Sequence, residues 1–420
     1  MKADKYLPVN ALLLIIIFSI YPSNSFAQRN KTKNSINSDK TLLDFNPEFE
    51  KIKSRVSYVP GIKVIRGETN LIVPEHESFC PSGSVFKFNN GDIQVYNRRS
   101  NNGGKTWNQV EFILENSTYQ FPEPDDEVIM FQSANLAGGK TNEGRPEVSL
   151  QRTDQKGVFE ANFFRSKDNG LSRESDPAKI ILPEEFSEWT GVLCRKIVRL
   201  EDGGLLMSMY IRNPEGNVYE KMFRVLALRS TDRGKTWHYL STIAFDMADD
   251  VRGEGFDEAS LLVLPDGRIL SFMRSGASYQ ASLGSNNNKD WNTKMPFSYG
   301  KQTAIYKSVS IDGGKNWSVP DPITSHGVWP DAVLMENRII ALSYGRPGNW
   351  LMFNDGESES WGPIIPFYND LYPPDCGNYV AMTEVAPNIL LVVYSRTNPN
   401  NHWKSEFVGT YFNVKRMLVE

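Results

Sequence analysis

Ser230-Thr231-Asp232-Arg233-Gly234-Lys235-Thr236-Trp237 and Ser310-Ile311-Asp312-Gly313-Gly314-Lys315-Asn316-Trp317 are two copies of one pattern, Ser-x-Asp-x-Gly-x-x-Trp. A third copy, Ser100 to Trp107, carries Asn102 in place of the Asp. Ser166-Lys167-Asp168-Asn169-Gly170 keeps the front half and has Arg173 where the Trp belongs, and an eroded copy runs from Asn354-Asp355-Gly356 to Trp361. These residue types suit the tip of a β-hairpin. The Asp side chain accepts bonds from following backbone N–H groups, the Gly takes a positive φ, and the Trp packs back on the strands. A calcium loop is excluded because the downstream carboxylates that would complete the coordination are missing.

A second repeat interleaves with the first. It is a strand ending in a Leu-x-Asp-Gly turn, seen at Phe88-Asn-Asn-Gly91, Leu200-Glu-Asp-Gly203 and Leu264-Pro-Asp-Gly267, with weaker copies beginning at Leu334 and Val385. The chain between them is a run of short apolar or alternating segments broken by Gly, Asp, Asn and Pro, without a long amphipathic helical pattern. The stretch 123–169 reads as a less regular unit, with strands expected at 147–150 and 159–165. Units of several strands each, recurring along the chain, predict an all-β propeller of about six blades.

The ends and the bulk composition bound the rest. Lys2 and Lys5, the apolar run Ala11–Ile20 and Ser25-Phe26-Ala27 before Gln28 read as an export signal over residues 1–27. Ten apolar residues are too few to span a bilayer. A polar linker or arm is expected over 28–55 and the propeller domain over 56–420, with no membrane span after signal removal and a secreted or periplasmic location. A net charge of −4 excludes the basic character of a nucleic-acid binder. Cys80, Cys194 and Cys376 allow one disulfide at most and match no metal spacing, and neither metal nor cofactor is expected.

Aligned on the Leu-x-Asp-Gly turns, the position six residues earlier reads Ser82, Cys194, Glu258, Val328 and Tyr379. That register faces a propeller's axis, and Glu258 and Tyr379 are the two with chemistry to offer. The combination of repeats resembles the sialidase (neuraminidase) superfamily of six-bladed β-propellers over nearly all of the mature chain. The resemblance implies an exo-glycosidase that removes a terminal acidic sugar with retention. Tyr379 is then the nucleophile and Glu258 its base, a neutral nucleophile avoiding repulsion by the sugar's carboxylate. It also implies that Arg274, ten residues after Leu264, and Arg346, 33 residues before Tyr379, bind that carboxylate. The family's first-strand arginine is absent from Phe79-Cys-Pro-Ser-Gly-Ser84, and Arg66 is the nearest substitute. Asp125, Asp126 and Glu143 are candidates for the general acid, and His326 is a further site candidate, as substrate contact or as the base of a lyase. Two other classes stay open: a polysaccharide lyase on uronate-containing glycans and a non-catalytic glycan-binding propeller.

Overall fold

A computed structural model describes residues 61–76, 85–111, 118–132, 150–213, 215–217, 220–245, 255–275, 304–324, 327–345, 348–368, 379–398 and 401–417. The expected signal (1–27) and arm (28–55) lie outside these residues, as do Cys80, Cys376, Glu143, His326 and Arg346.

The described strands form six sheets. The first has strands Val85–Lys87, Ile93–Val95, Arg98–Ser100 and Asn108–Gln109. The second has Thr118–Pro122, Val128–Gln132, Phe163–Ser166 and Glu174–Ser175. The third begins with Thr190–Arg199, Leu205–Arg212, Arg224–Ser230 and Thr236–Ala244. The fourth has Phe256–Val263, Ile269–Ser275, Ile305–Ser310 and Asp321–Pro322. The fifth has Val328–Leu334, Ile340–Gly345, Asn349–Asn354 and Ile364–Tyr368. In the sixth, Val380–Ala386, Ile389–Asn398 and Asn401–Arg416 are joined by the N-terminal strand Ile62–His76, which pairs from Ile62↔Arg416 onward. Joining the first and last described strands in one sheet fastens the ring.

The expectation of about six blades, one of them less regular over 123–169, needs correcting. Five sheets are four-stranded blades, while the third has seven strands. The physical reason lies in the segment expected to be one strand over 159–165. It divides at Asn162 into Val158–Ala161 and Phe163–Ser166, and the two halves join different sheets. Val158–Ala161 pairs with Ala178–Ile181, which in turn runs parallel to Thr236–Ala244 and extends the third sheet.

Central strands such as Leu205–Arg212, Ile269–Ser275 and Ile340–Gly345 are buried on both faces, and alternate residues of one strand serve different neighbours. Leu226 and Leu228 pack with Phe131 and Phe163 of the second sheet, while Val225 and Ala227 pack with Leu261 and Met273 of the fourth. Comparable clusters fill the remaining junctions around the ring. Fully burying one such aliphatic side chain contributes about 1.5–3 kcal/mol, so the ring is held by many modest wedges between blades.

The hairpin tips behave as their residue types require. Ser230 Oγ accepts the Gly234 N–H at 2.8 Å, Asp232 Oδ1 accepts the Thr236 N–H at 2.9 Å, and Trp237 Nε1 donates to the Gly234 carbonyl at 3.0 Å. Asn102 substitutes for the Asp by accepting the Thr106 N–H at 3.0 Å. In the eroded copy Asn354 takes the place of the Ser and accepts the Gly356 N–H at 2.7 Å.

The inner turns correct the register in one blade. Gly91, Gly203 and Gly267 all have positive φ, closing turns that begin at Phe88, Leu200 and Leu264. In the fifth sheet the turn begins at Met335, not Leu334: the Arg338 N–H donates to the Met335 carbonyl and Arg338 takes φ 65°. Asn337 fills the Asp position, accepting the Ile339 N–H at 3.0 Å as Asp266 accepts that of Arg268. Counting back from Met335 makes Trp329, not Val328, the counterpart of Glu258.

Candidate active site

Glu258 and Trp329 stand at bulges in the innermost strands of the fourth and fifth sheets, where the pairing slips between Asp257 and Ser260 and between Val328 and Asp331. Both have left-handed backbone, φ 48° and 53°. A bulge with such a residue turns one side chain out of the regular alternation, a device common beside active sites. Here it presents the two side chains on adjoining blades at matching positions.

Glu258 is 8 % exposed, and both of its carboxylate oxygens are engaged. Oε1 accepts from Arg274 Nη1 at 3.1 Å, and Oε2 accepts the backbone N–H of Trp329 at 2.9 Å. Arg274 also lies 3.9 Å from Asp257. Tyr379 precedes the innermost strand of the sixth sheet, and its ring meets that of Trp329 edge-to-face with centroids 4.9 Å apart. Glu258, Trp329 and Tyr379, from three successive blades, therefore meet through the tryptophan.

Two residues of the third sheet reach across to the fifth. Arg195 lays its guanidinium over the Trp329 ring, 4.2 Å from the centroid, and Nη2 donates to the Pro330 carbonyl. Lys196 pairs with Asp331 at 2.7 Å, and Asp331 Oδ2 also accepts the Met382 N–H of the sixth sheet at 3.2 Å. Arg195 lies one residue beyond Cys194, the position that the repeat register selects, and gains its place from a wider slip in pairing between Leu193 and Ile197. The signal for it was an Arg-Lys pair placed where an inner strand should be apolar.

Cys194 is buried, and loss of water pushes its thiol up to about 12. Tyr210, at the counterpart of Arg274 one blade earlier, has its hydroxyl raised well above the usual range by burial, then by the charges of Asp257 and Glu258. Neither group is prepared to ionise.

Other predicted residues are not brought to this site. Arg66 is exposed on Ile62–His76, the edge strand of the sixth sheet, opposite Phe412 and three strands from Val380–Ala386. Asp125 and Asp126 sit in the inner turn of the second sheet, where the Asp126 N–H donates to the Glu123 carbonyl and Asp126 takes φ 66°. This turn corresponds to Leu264–Gly267, at the opposite end of an inner strand from the Glu258 position and roughly 20 Å away at about 3.3 Å per residue. Asp125 is bonded there to Arg233, with both oxygens at 2.9 Å. Both Asp residues thus belong to the second sheet's inner turn and not to the group formed by Glu258, Trp329 and Tyr379. Among the described residues no three His, Cys, Asp or Glu side chains gather to hold a metal ion, and no helix is long and apolar enough to cross a membrane.

Comparison with known proteins agrees with the fold. The BNR repeat-like domain family matches residues 87–304. No curated protein matches the sequence. A Dyadobacter fermentans protein of unknown function is 17 % identical with a TM-score of 0.55, covering 85 % of this chain and 100 % of its own. The Penicillium chrysogenum α-L-arabinanase in complex with arabinobiose is 14 % identical with a TM-score of 0.53, covering 82 % and 98 %. The NanB sialidase of Streptococcus pneumoniae is 14 % identical with a TM-score of 0.48, covering 87 % and 72 %.

Proposed function

Because this chain belongs to the BNR repeat-like domain family, we propose that it is a glycoside hydrolase releasing a terminal acidic sugar from glycans. The observation that carries this reading is the meeting of Glu258, Trp329 and Tyr379 at matching positions of three successive blades. In this reading the Tyr379 hydroxyl passes its proton to Glu258 and attacks the anomeric carbon as the glycosidic C–O bond breaks, the departing oxygen taking its proton from water. A second water then cleaves the tyrosyl–sugar bond with net retention, and Tyr379 recovers its proton from Glu258. Arg274 steadies the Glu258 carboxylate through its 3.1 Å bond. His326 precedes the first strand of the fifth sheet in sequence, Arg346 falls between its second and third strands, and the two complete the proposed sugar contacts. We also read the first four strands of the seven-stranded sheet as a sixth blade, which sets Arg195 beside the fourth. Export through cleavage after Ala27 belongs to the same proposal, and N-terminal sequencing of the secreted protein checks it.

The test is product analysis after incubation with sialylated, uronate-containing and arabinosyl glycans, with Glu258→Gln and Tyr379→Phe alongside. Release of an acidic monosaccharide, lost in both variants, is expected. An unsaturated product absorbing in the ultraviolet assigns a lyase, and binding without turnover assigns a glycan-binding propeller. A second reading, hydrolysis of a neutral terminal sugar, is favoured by one observation: Arg274 is committed to Glu258 and so is not free to hold a substrate acid. Release of arabinose alone establishes it.

A further inference from the structure

Arg195 is 6 % exposed, yet among the described residues it forms no ion pair, whereas its neighbour Lys196 pairs with Asp331 and Arg274 pairs with Glu258. Its Nη2 serves Pro330 and its face rests on Trp329, but among the described residues its Nε–H is buried without a partner. The indole Nε1–H of Trp329 is likewise buried and unpartnered. Two side chains in contact thus each hold an unused N–H. A buried cation is tolerated when an opposite charge meets it, and an unmet buried donor is unfavourable. Both groups donate and neither accepts, so what completes them is an acceptor, and next to a guanidinium that acceptor is an anion.

We propose that Arg195, with the Trp329 indole N–H, anchors the anionic group of the sugar, a carboxylate. The inference rests on the hydrolase reading above and assigns to the third sheet the recognition that the family resemblance implies for Arg274. The placement suits the chemistry. Trp329 donates its backbone N–H to Glu258 and touches Tyr379 with its ring, so an anion held against this tryptophan lies beside the reacting groups.

The experiment is calorimetric titration of the full-length protein with N-acetylneuraminic acid, D-glucuronic acid and the methyl ester of each. Wild type, Arg195→Gln, Arg195→Lys and Glu258→Gln are compared. Wild type is expected to bind at least one acid roughly 10- to 100-fold more tightly than its ester, the range of a hydrogen bond to a charged group. Arg195→Gln removes that preference, Arg195→Lys keeps part of it, and Glu258→Gln, which takes a negative charge from beside the anion, does not lower it. Equal binding of acid and ester by wild type, binding of neither acid, or a preference that survives Arg195→Gln overturns the proposal. In the last case both ligands weaken together, and Arg195 only supports Trp329. Glycan hydrolysis by the same samples separates the two readings. An Arg195-dependent acid preference without hydrolysis overturns the hydrolase alone, and hydrolysis of an arabinosyl glycan unchanged in Arg195→Gln overturns the anchor alone.

Discussion

The Glu258 carboxylate accepts the backbone N–H of Trp329 at 2.9 Å, although the two residues occupy the same position in successive blades and both have left-handed backbone. A side chain of one blade is thus oriented by the main chain of the next. Each non-glycine residue held in this region costs about 1–3 kcal/mol, and the packing between blades has to cover that cost. Geometry at the site and cohesion between blades are therefore one property, and variants that loosen the wedges are expected to affect both.

Glu258→Gln keeps an oxygen for the Trp329 N–H and removes the proposed base. Turnover of a cleaved glycan should fall by about 10²–10⁴-fold, with strand content by circular dichroism unchanged. A loss smaller than tenfold argues that Glu258 is structural.

Arg274→Met leaves the buried Glu258 carboxylate with the Trp329 N–H alone. Breaking such a pair costs about 3–5 kcal/mol, read as a lowered urea midpoint. Adding Glu258→Gln should recover part of the loss, because the unpaired charge is gone; independent effects of the two substitutions would contradict the pairing.

The hairpin tips make part of the stability depend on acid. The backbone N–H and side-chain amide of Asn316, followed by Ser310 and the Lys315 N–H, hold the Asp312 carboxyl at about 2 against an ordinary 3.8. The folded value lies below the unfolded one, so this contribution is complete above about pH 4 and is lost as pH falls through about 2. The difference in urea midpoint between wild type and Asp312→Asn should therefore shrink steadily over that window.

Two glycines with positive φ separate local strain from packing between blades. At Gly170 (φ 78°) a Cβ lies 2.4 Å from Phe88 Cε1 of the first sheet, whereas at Gly103 (φ 71°) it meets nothing within 4 Å. Gly103→Ala should cost about 1 kcal/mol, and Gly170→Ala about 1–3 kcal/mol more, from overpacking. Equal thermal shifts would show that Phe88 yields freely.

Cys194 is buried with its thiol pushed up to about 12. In a Cys80→Ser, Cys376→Ser background, iodoacetamide should leave the native protein unlabelled at neutral pH and label it in denaturant, as counted by mass spectrometry. Rapid native labelling would mean that the third and fourth sheets part easily.

The sequence by itself determined the hairpin tips, the inner turns and the propeller they imply, because these are local structures. A serine, an aspartate and a glycine within five residues close their own hydrogen bonds wherever the segment sits. By the same periodicity it placed Glu258 and Tyr379 in register. The tertiary structure decided what local pattern does not encode. It split 159–165 between two sheets, joined Ile62–His76 to the C-terminal strand, and moved the fifth blade's register by one residue, so that Trp329 replaced Val328. It also brought Arg195 onto Trp329, residues 134 positions apart (329 − 195), through a bulge and the closure of the ring. Contacts across the axis depend on how whole blades pack, and in a strand whose side chains alternate, a slip of one residue changes which of them faces the axis.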